Sequence, residues 1–144
     1  MLSNLKAQII IGEKHSDFRG SLRYFNDFDL SAVKRLYILE HPDTQVVRAW
    51  QGHRYEKKWF NVVAGGFEVV LIRIDNWLSP SENIPPEEYS LTSSENHILH
   101  VPGGYATGFR ASEPNSKMLV FSNFSVEESQ EDDYRFDAKK WFKW

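Results

Sequence analysis

The sequence predicts an all-β sandwich or barrel with one short helix near its C-terminus. Three observations carry this. Short runs rich in β-branched and aromatic residues recur at near-regular spacing between turn signals. No segment before residue 124 sustains the apolar period of a helix. Ser125-Val126-Glu127-Glu128 has the form of a capping box, a hydroxyl N-cap followed by acids in the first turn.

Taken in order, strands are expected at 6–11, 21–25, 33–40, 44–50, 58–64, 67–74, 88–92, 97–101, 105–111 and 117–123. Alternation in the third of these puts Leu36 and Ile38 on one face and Arg35 and Tyr37 on the other. Gly65-Gly66 stands between two strands and can supply the positive φ values of a two-residue hairpin. The segment DNWLSPSENIPPE (75–87) reads as a surface excursion, with Trp77 as its anchor rather than a lid. After the helix, the terminal WFKW strip is expected to pack onto the barrel, with an oligomer contact as the other reading.

The 144 residues fit a single domain spanning 1–144. A net charge of −3 offers no basic footprint for nucleic acid or an anionic membrane. There is no cysteine, so neither a disulfide framework nor a thiolate cluster is available. The first residues, MLSNLKAQIII, lack the cationic start and long apolar core of a cleaved leader. The expectation is a cytoplasmic protein without a membrane partner.

The stretch VRAWQGHRYEKKWFNVVAGG (47–66) has the cadence of a metal-binding barrel motif. It resembles the first motif of the cupin superfamily, two His and a Glu followed by a Gly, with a third His in a later P-x-G turn. Aligned on Gly65, those four positions hold Gln51, His53, Lys58 and, after Pro102-Gly103-Gly104, Thr107. An ammonium repels a cation, and one imidazole cannot hold a divalent ion against water, so no metal and no cofactor is expected. Alternation puts Arg48, Trp50 and Gly52 on one face and Gln51 and His53 on the other, unless a bulge re-aims one of them. The cations clustered here suit a phosphate-bearing ligand through bidentate geometry.

Four further motifs make the resemblance more specific. Asp17-Phe18-Arg19-Gly20 is similar to the D-x-R-G of the dTDP-4-dehydrorhamnose 3,5-epimerases. Lys34-Arg35-Leu36-Tyr37 and Arg48-Ala49-Trp50-Gln51-Gly52-His53-Arg54 resemble the K-R-x-Y and R-G-x-H-A-H-K of the dTDP-sugar 3,4-ketoisomerases. Val101 to Phe109 resembles the I-P-x-G-x-A-H-G-F shared by both. The resemblance implies a cupin-type jelly roll acting on a nucleotide-linked, dTDP-type 4-keto-6-deoxy sugar, without metal, as a homodimer. It implies His53 as base, Lys58 or Tyr37 as partner of the oxyanion, and Arg19 and Arg48 on the diphosphate, with Arg35 and Gln51 also facing substrate.

Three positions depart from the pattern. The epimerases' base is Gln51 here, and an amide is no general base near neutral pH. Their Tyr acid falls at about Phe121, and Thr107 replaces the last His. Isomerisation fits the KRLY and QGH spacing, epimerisation fits Lys58, and a barrel that binds a sugar nucleotide or glycan without turning it over is the rival. His15 and His41 adjoin turns and are expected in solvent; His97 and His100 are given no role.

Overall fold

The structure, a computed structural model, describes residues 5–144. Its strands are β1 (Gln8–Ile11), β2 (Glu13–Asp17), β3 (Gly20–Tyr24), β4 (Arg35–His41), β5 (Val47–His53), β6 (Lys58–Ala64), β7 (Gly66–Arg73), β8 (Glu87–Thr92), β9 (His97–Val101), β10 (Tyr105–Ala111), β11 (Ser116–Ser122) and β12 (Tyr134–Arg135), with α1 at Val126–Gln130. Two five-stranded antiparallel sheets, ordered β1-β9-β6-β11-β4 and β12-β5-β10-β7-β8, face each other as a jelly roll, and β2-β3 forms a separate hairpin. Among the described residues no helix is long and apolar enough to cross a membrane.

Alternation explains what lies between the sheets. Phe67, Val69 and Leu71 of β7 meet Phe60 and Val62 of β6 and Met118 and Val120 of β11 in the main core. The other face of β7 is buried too. Val70 and Ile72 join Trp50 and Ala106 beneath the C-terminal tail, where Phe136, Trp141, Phe142 and Trp144 cover the second sheet. A strand covered on both faces reads as a continuous apolar run, which is why FEVVLIRI carries so little polarity. The WFKW strip therefore packs on the barrel. The excursion before β8 is tied down by it: Trp141 Nε1 donates to the Ser81 carbonyl at 2.7 Å, Lys140 pairs with Glu82 at 2.7 Å, and Trp77 lies 4.8 Å from the Tyr134 ring.

Some expectations are corrected. Gly65 does take a positive φ of 67°, but β6 and β7 belong to different sheets, so the glycine pair turns a corner between layers rather than closing a hairpin. β2 was not legible: EKHSD is exposed along its whole length and pairs only with β3, so no buried face imposes alternation. On β4 the expected split of faces holds: Leu36 and Ile38 share the outer one, 54% and 55% exposed, while Arg35 and Tyr37 turn inward.

Candidate functional site

A cavity of about 340 Å³ opens between the sheets beside β5. Its polar wall is Tyr37 from β4, Arg48 and Gln51 from β5, Lys58 from β6, Thr107 from β10 and Arg135 from β12; Leu39, Phe60 and Phe109 form the apolar floor. Arg48 and Gln51 share this wall because of a bulge. Thr107 pairs with Gln51 but Phe109 pairs with Arg48, so Gly108 stands opposite two residues, Ala49 and Trp50. One extra residue shifts the alternation by one, bringing Arg48 to the face that holds Gln51. Gly108 has to be small, since a Cβ there would collide with the rings of Trp50 and Trp144.

The polar groups hold one another in fixed poses. Lys58 Nζ donates to Gln51 Oε1 at 3.4 Å, while Gln51 Nε2 donates to Asp133 Oδ1 at 3.2 Å. Ammonium on one side and carboxylate on the other fix which way the amide points. Asp133 also accepts from Arg135, Nε to Oδ1 at 2.8 Å. Its carboxyl sits below the usual carboxylate range because the hydrogen bonds from Arg135 and Gln51 outweigh burial. Lys58 Nζ lies 5.8 Å from the centre of the Tyr37 ring, so a ligand oxygen entering here meets an ammonium and a phenol together. Arg48 is steadied from behind, its Nε donating to His41 Nε2 at 3.1 Å.

Beneath this wall lies a second layer. His53 follows Gln51 on the same face of β5, because Gly52 between them faces Trp77 and Phe136 on the opposite side. His53 is 5% exposed, and its Nδ1 meets the Asp132 carbonyl at 2.7 Å. A carbonyl only accepts, so Nδ1 carries the proton and Nε2 keeps its lone pair. Burial chiefly, then the Lys58 ammonium, push the imidazole below its ordinary value, while Glu56 and Asp132 push the other way. It is therefore a neutral base at pH 7. The Asp132 carboxylate accepts from the backbone N–H of Arg54, Tyr55 and Glu56 at 2.8, 2.9 and 2.8 Å, fastening the turn after β5 to the tail.

The residues singled out from sequence are thus placed unevenly. Tyr37, Arg48, Gln51 and Lys58 meet at the cavity. His53 adjoins them from behind and does not line it. Arg35 turns to the second layer, its Nε donating to the Phe124 carbonyl at 3.1 Å and its Nη2 lying 3.5 Å from Glu56. Arg19 is remote, paired with Asp17 at 2.6 Å on the exposed β2-β3 hairpin. That hairpin is rooted through Arg23 on the carbonyls of Val63 and Ser93, at the end of β6 opposite Lys58. The root of the hairpin thus lies ~17 Å from Lys58 along β6 at the usual rise per residue.

Phe121 does not stand at an acid's place. Alternation along β11 sends Met118, Val120 and Ser122 inward, and Phe121 packs edge-on to Phe28 on the outer side of the sheet. His41 is corrected as well: it is 4% exposed, edge-on to Phe67 and tilted against Phe109, with burial and Arg48 pushing it below its ordinary value. Glu56, Asp132 and Arg135 were missed. Each stands among other charges in a polar stretch; only long-range pairing brings Glu56 and Asp132 inward, and Arg135 reaches the rim from an exposed strand.

No protein-family model matches this sequence, and no curated protein does. Solved structures do match in fold. The chain superimposes on an rmlC epimerase of Mycobacterium tuberculosis with a TM-score of 0.79 at 19% identity, covering 100% of this chain and 76% of that one. It matches the QdtA 3,4-ketoisomerase of Thermoanaerobacterium thermosaccharolyticum in complex with TDP at TM-score 0.70 and 18% identity, over 94% and 90% of the two chains. A dTDP-4-dehydrorhamnose 3,5-epimerase from Bacillus anthracis, with TDP and PPi bound, gives 0.73 at 14% identity, over 92% and 79%. The fold is that of the cupin sugar-nucleotide epimerases and ketoisomerases.

Proposed function

We propose that the protein is a metal-independent isomerase or epimerase of a nucleotide-linked, dTDP-type 4-keto-6-deoxy sugar, of use in making surface polysaccharide or deoxysugars. The observation that carries this reading is the juxtaposition of Lys58 and Tyr37 at a cavity wall with a neutral imidazole, His53, in the layer behind. Protons α to a ketone become removable by one side-chain base once the oxyanion is stabilised. In this reading His53 Nε2 takes the proton, Lys58 meets the enolate oxygen, Tyr37 supplies or accepts a proton across the cavity, and Arg48 holds the diphosphate. Arg135, an exposed residue at the rim of the same opening and paired with Asp133, adds a second cation for it. Gln51 orients rather than reacts. In this reading the protein works in the cytoplasm, where such a substrate would be met.

We further propose a homodimer. Leu36 and Ile38 on the edge strand β4, and Leu30 beside them, are all more than half exposed, an apolar strip that a second copy of the chain would cover. A partner subunit would also give Arg19 a site to reach, which its own subunit does not.

One observation favours a second reading, a barrel that binds a sugar nucleotide or glycan without converting it. His53 Nε2 is buried without a hydrogen-bond partner and lies outside the cavity lining, so substrate must reach inward to meet it. Proton NMR of dTDP-4-keto-6-deoxyglucose with the protein in heavy water separates the two. Loss of the C3 signal with a new 3-keto product is the expected result for ketoisomerisation, and loss at both C3 and C5 for epimerisation. Either exchange should fall by about 10²-fold or more in His53→Asn, the usual scale for losing a general base. Saturable dTDP binding with no exchange would retire the catalytic reading.

A further inference from the structure

Glu56 is 2% exposed, and its side chain is closed off from solvent. A carboxylate in such a place needs partners, and three strands supply them. Arg35 Nη2 from β4 stands 3.5 Å from Oε2, Lys58 Nζ from β6 stands 3.7 Å from it, and Ser122 Oγ from β11 donates to it at 2.9 Å. Oε1 is different. It has no hydrogen-bond partner, and the ion-pair contact on its side is His53 Nδ1 at 3.6 Å. One oxygen is saturated while the other is left open toward an imidazole that already carries its proton on that side.

We infer that Glu56 is a positioning residue of this site: the Asp132 carbonyl holds Nδ1–H, and the Glu56 carboxylate behind it stabilises the imidazolium that forms when Nε2 takes up a proton. The inference deepens the proposed function and rests on it for the chemistry, but not for the geometry. In the step itself the C–H bond α to the ketone breaks and its electron pair moves to the carbonyl oxygen beside Lys58. The proton forms a new N–H bond at Nε2. The Nδ1 proton stays on its hydrogen bond to the Asp132 carbonyl, with Glu56 Oε1 3.6 Å away, so none passes to the carboxylate. When the enolate collapses, Nε2 returns its proton to carbon and the imidazole is neutral again. The same carboxylate, through Oε2, keeps the Lys58 ammonium at the wall where the oxyanion develops.

The charged groups that bear on the ring are Glu56 on the turn, Lys58 on β6, and Asp132 and Asp133 on the tail, with Arg35 reaching Glu56. Removing the Glu56 charge leaves burial and Lys58 to act against protonation with less opposition. The test is a nitrogen-resolved NMR titration of the imidazoles in the wild type and in Glu56→Gln, followed by the pH profile of solvent exchange. The wild type is expected to show His53 protonated at Nδ1 and bare at Nε2. Glu56→Gln is expected to lower the His53 midpoint by about one unit, the scale for losing an opposite charge at this range. Its kcat should fall by about tenfold or more with KM within about twofold, the signature of a lost transition-state interaction. Ser122→Ala removes a hydrogen bond from Oε2 and leaves the Oε1–His53 pair, so its midpoint should stay where the wild type has it.

An Nε2–H tautomer in the wild type overturns the inference, as does an unchanged midpoint in Glu56→Gln. Should that variant not fold, Glu56→Asp, which withdraws the carboxylate by one methylene, is read instead, with a smaller drop expected and no drop counting against. A wild type that exchanges no substrate proton defeats the proposed function alone, because tautomer and midpoint still decide the role of Glu56.

Discussion

His41 and His53 are buried and His100 is half-buried, and burial is the first cause holding each imidazole below its ordinary value of 6.5. The sign of the consequence follows from linkage. Below that value the unfolded chain binds protons that the folded chain resists, so stability is complete above it and falls as the pH drops through it. Melting temperature is therefore expected to be level above about pH 7 and to decline from about pH 6.5 toward about pH 5. Thermal unfolding followed by circular dichroism across that range checks this, and a flat profile would contradict the burial described for these rings. Residues of this kind were hard to read from the sequence. His41 sits beside a turn, and Glu56 lies in the polar run RYEKK, where solvent is the ordinary expectation. What buries Glu56 is its partners at positions 35, 53, 58 and 122, gathered from separate strands, and no local pattern encodes that gathering. Lys58 and Gln51 were legible because a spaced motif carried them.

At the level of elements the legible features are those whose partners are close in sequence. In α1, Ser125 Oγ accepts from the Glu128 N–H at 3.1 Å and Glu128 Oε1 accepts from the Ser125 N–H at 3.0 Å, the reciprocal cap expected from four consecutive residues. The structure adds Lys34, whose ammonium reaches the same oxygen at 2.7 Å. Lys34 first, with the Ser125 N–H after it, lowers the Glu128 carboxyl to about 2. Its stabilising effect is present above the ordinary value of 4.5 and is lost as the pH falls toward about 2. Ser125→Ala is expected to cost about 1 kcal/mol, the usual loss for an N-cap hydroxyl. Chemical denaturation of the two proteins measures it, and no change in midpoint would mean that five helical residues add nothing to the global transition. β7 was legible for another reason, since both its faces are buried and its run is apolar throughout. The bulge in β5 was foreseen only as an alternative, at Gly52; it falls at Ala49–Trp50 because Gly108 across the ladder leaves room there.

For the whole molecule, the outer side of the first sheet is the unfinished surface. Phe121, Trp59 and His100 are covered from within the chain, but Leu36 and Ile38 are not. Ile38→Glu places a charge in that strip and should convert a dimer to a monomer while leaving the circular dichroism unchanged. Sedimentation velocity reads this directly, and a wild type that sediments as a monomer would remove the dimer proposal. The monomeric variant should also bind dTDP more weakly, because Arg19 would lose its partner site. The opposite side of the molecule has a different consequence. Four of the five tryptophans, Trp50, Trp77, Trp141 and Trp144, lie with the tail against the second sheet, with Trp50 5.7 Å from both Trp141 and Trp144. Trp59 sits apart, stacked on His100 at 4.8 Å. The ultraviolet emission of this protein is thus gathered on one flank, where indoles this close pass excitation among themselves. Light from the molecule reports first whether its tail is seated, and Trp50, which also borders the cavity, is the indole through which an occupant would be felt.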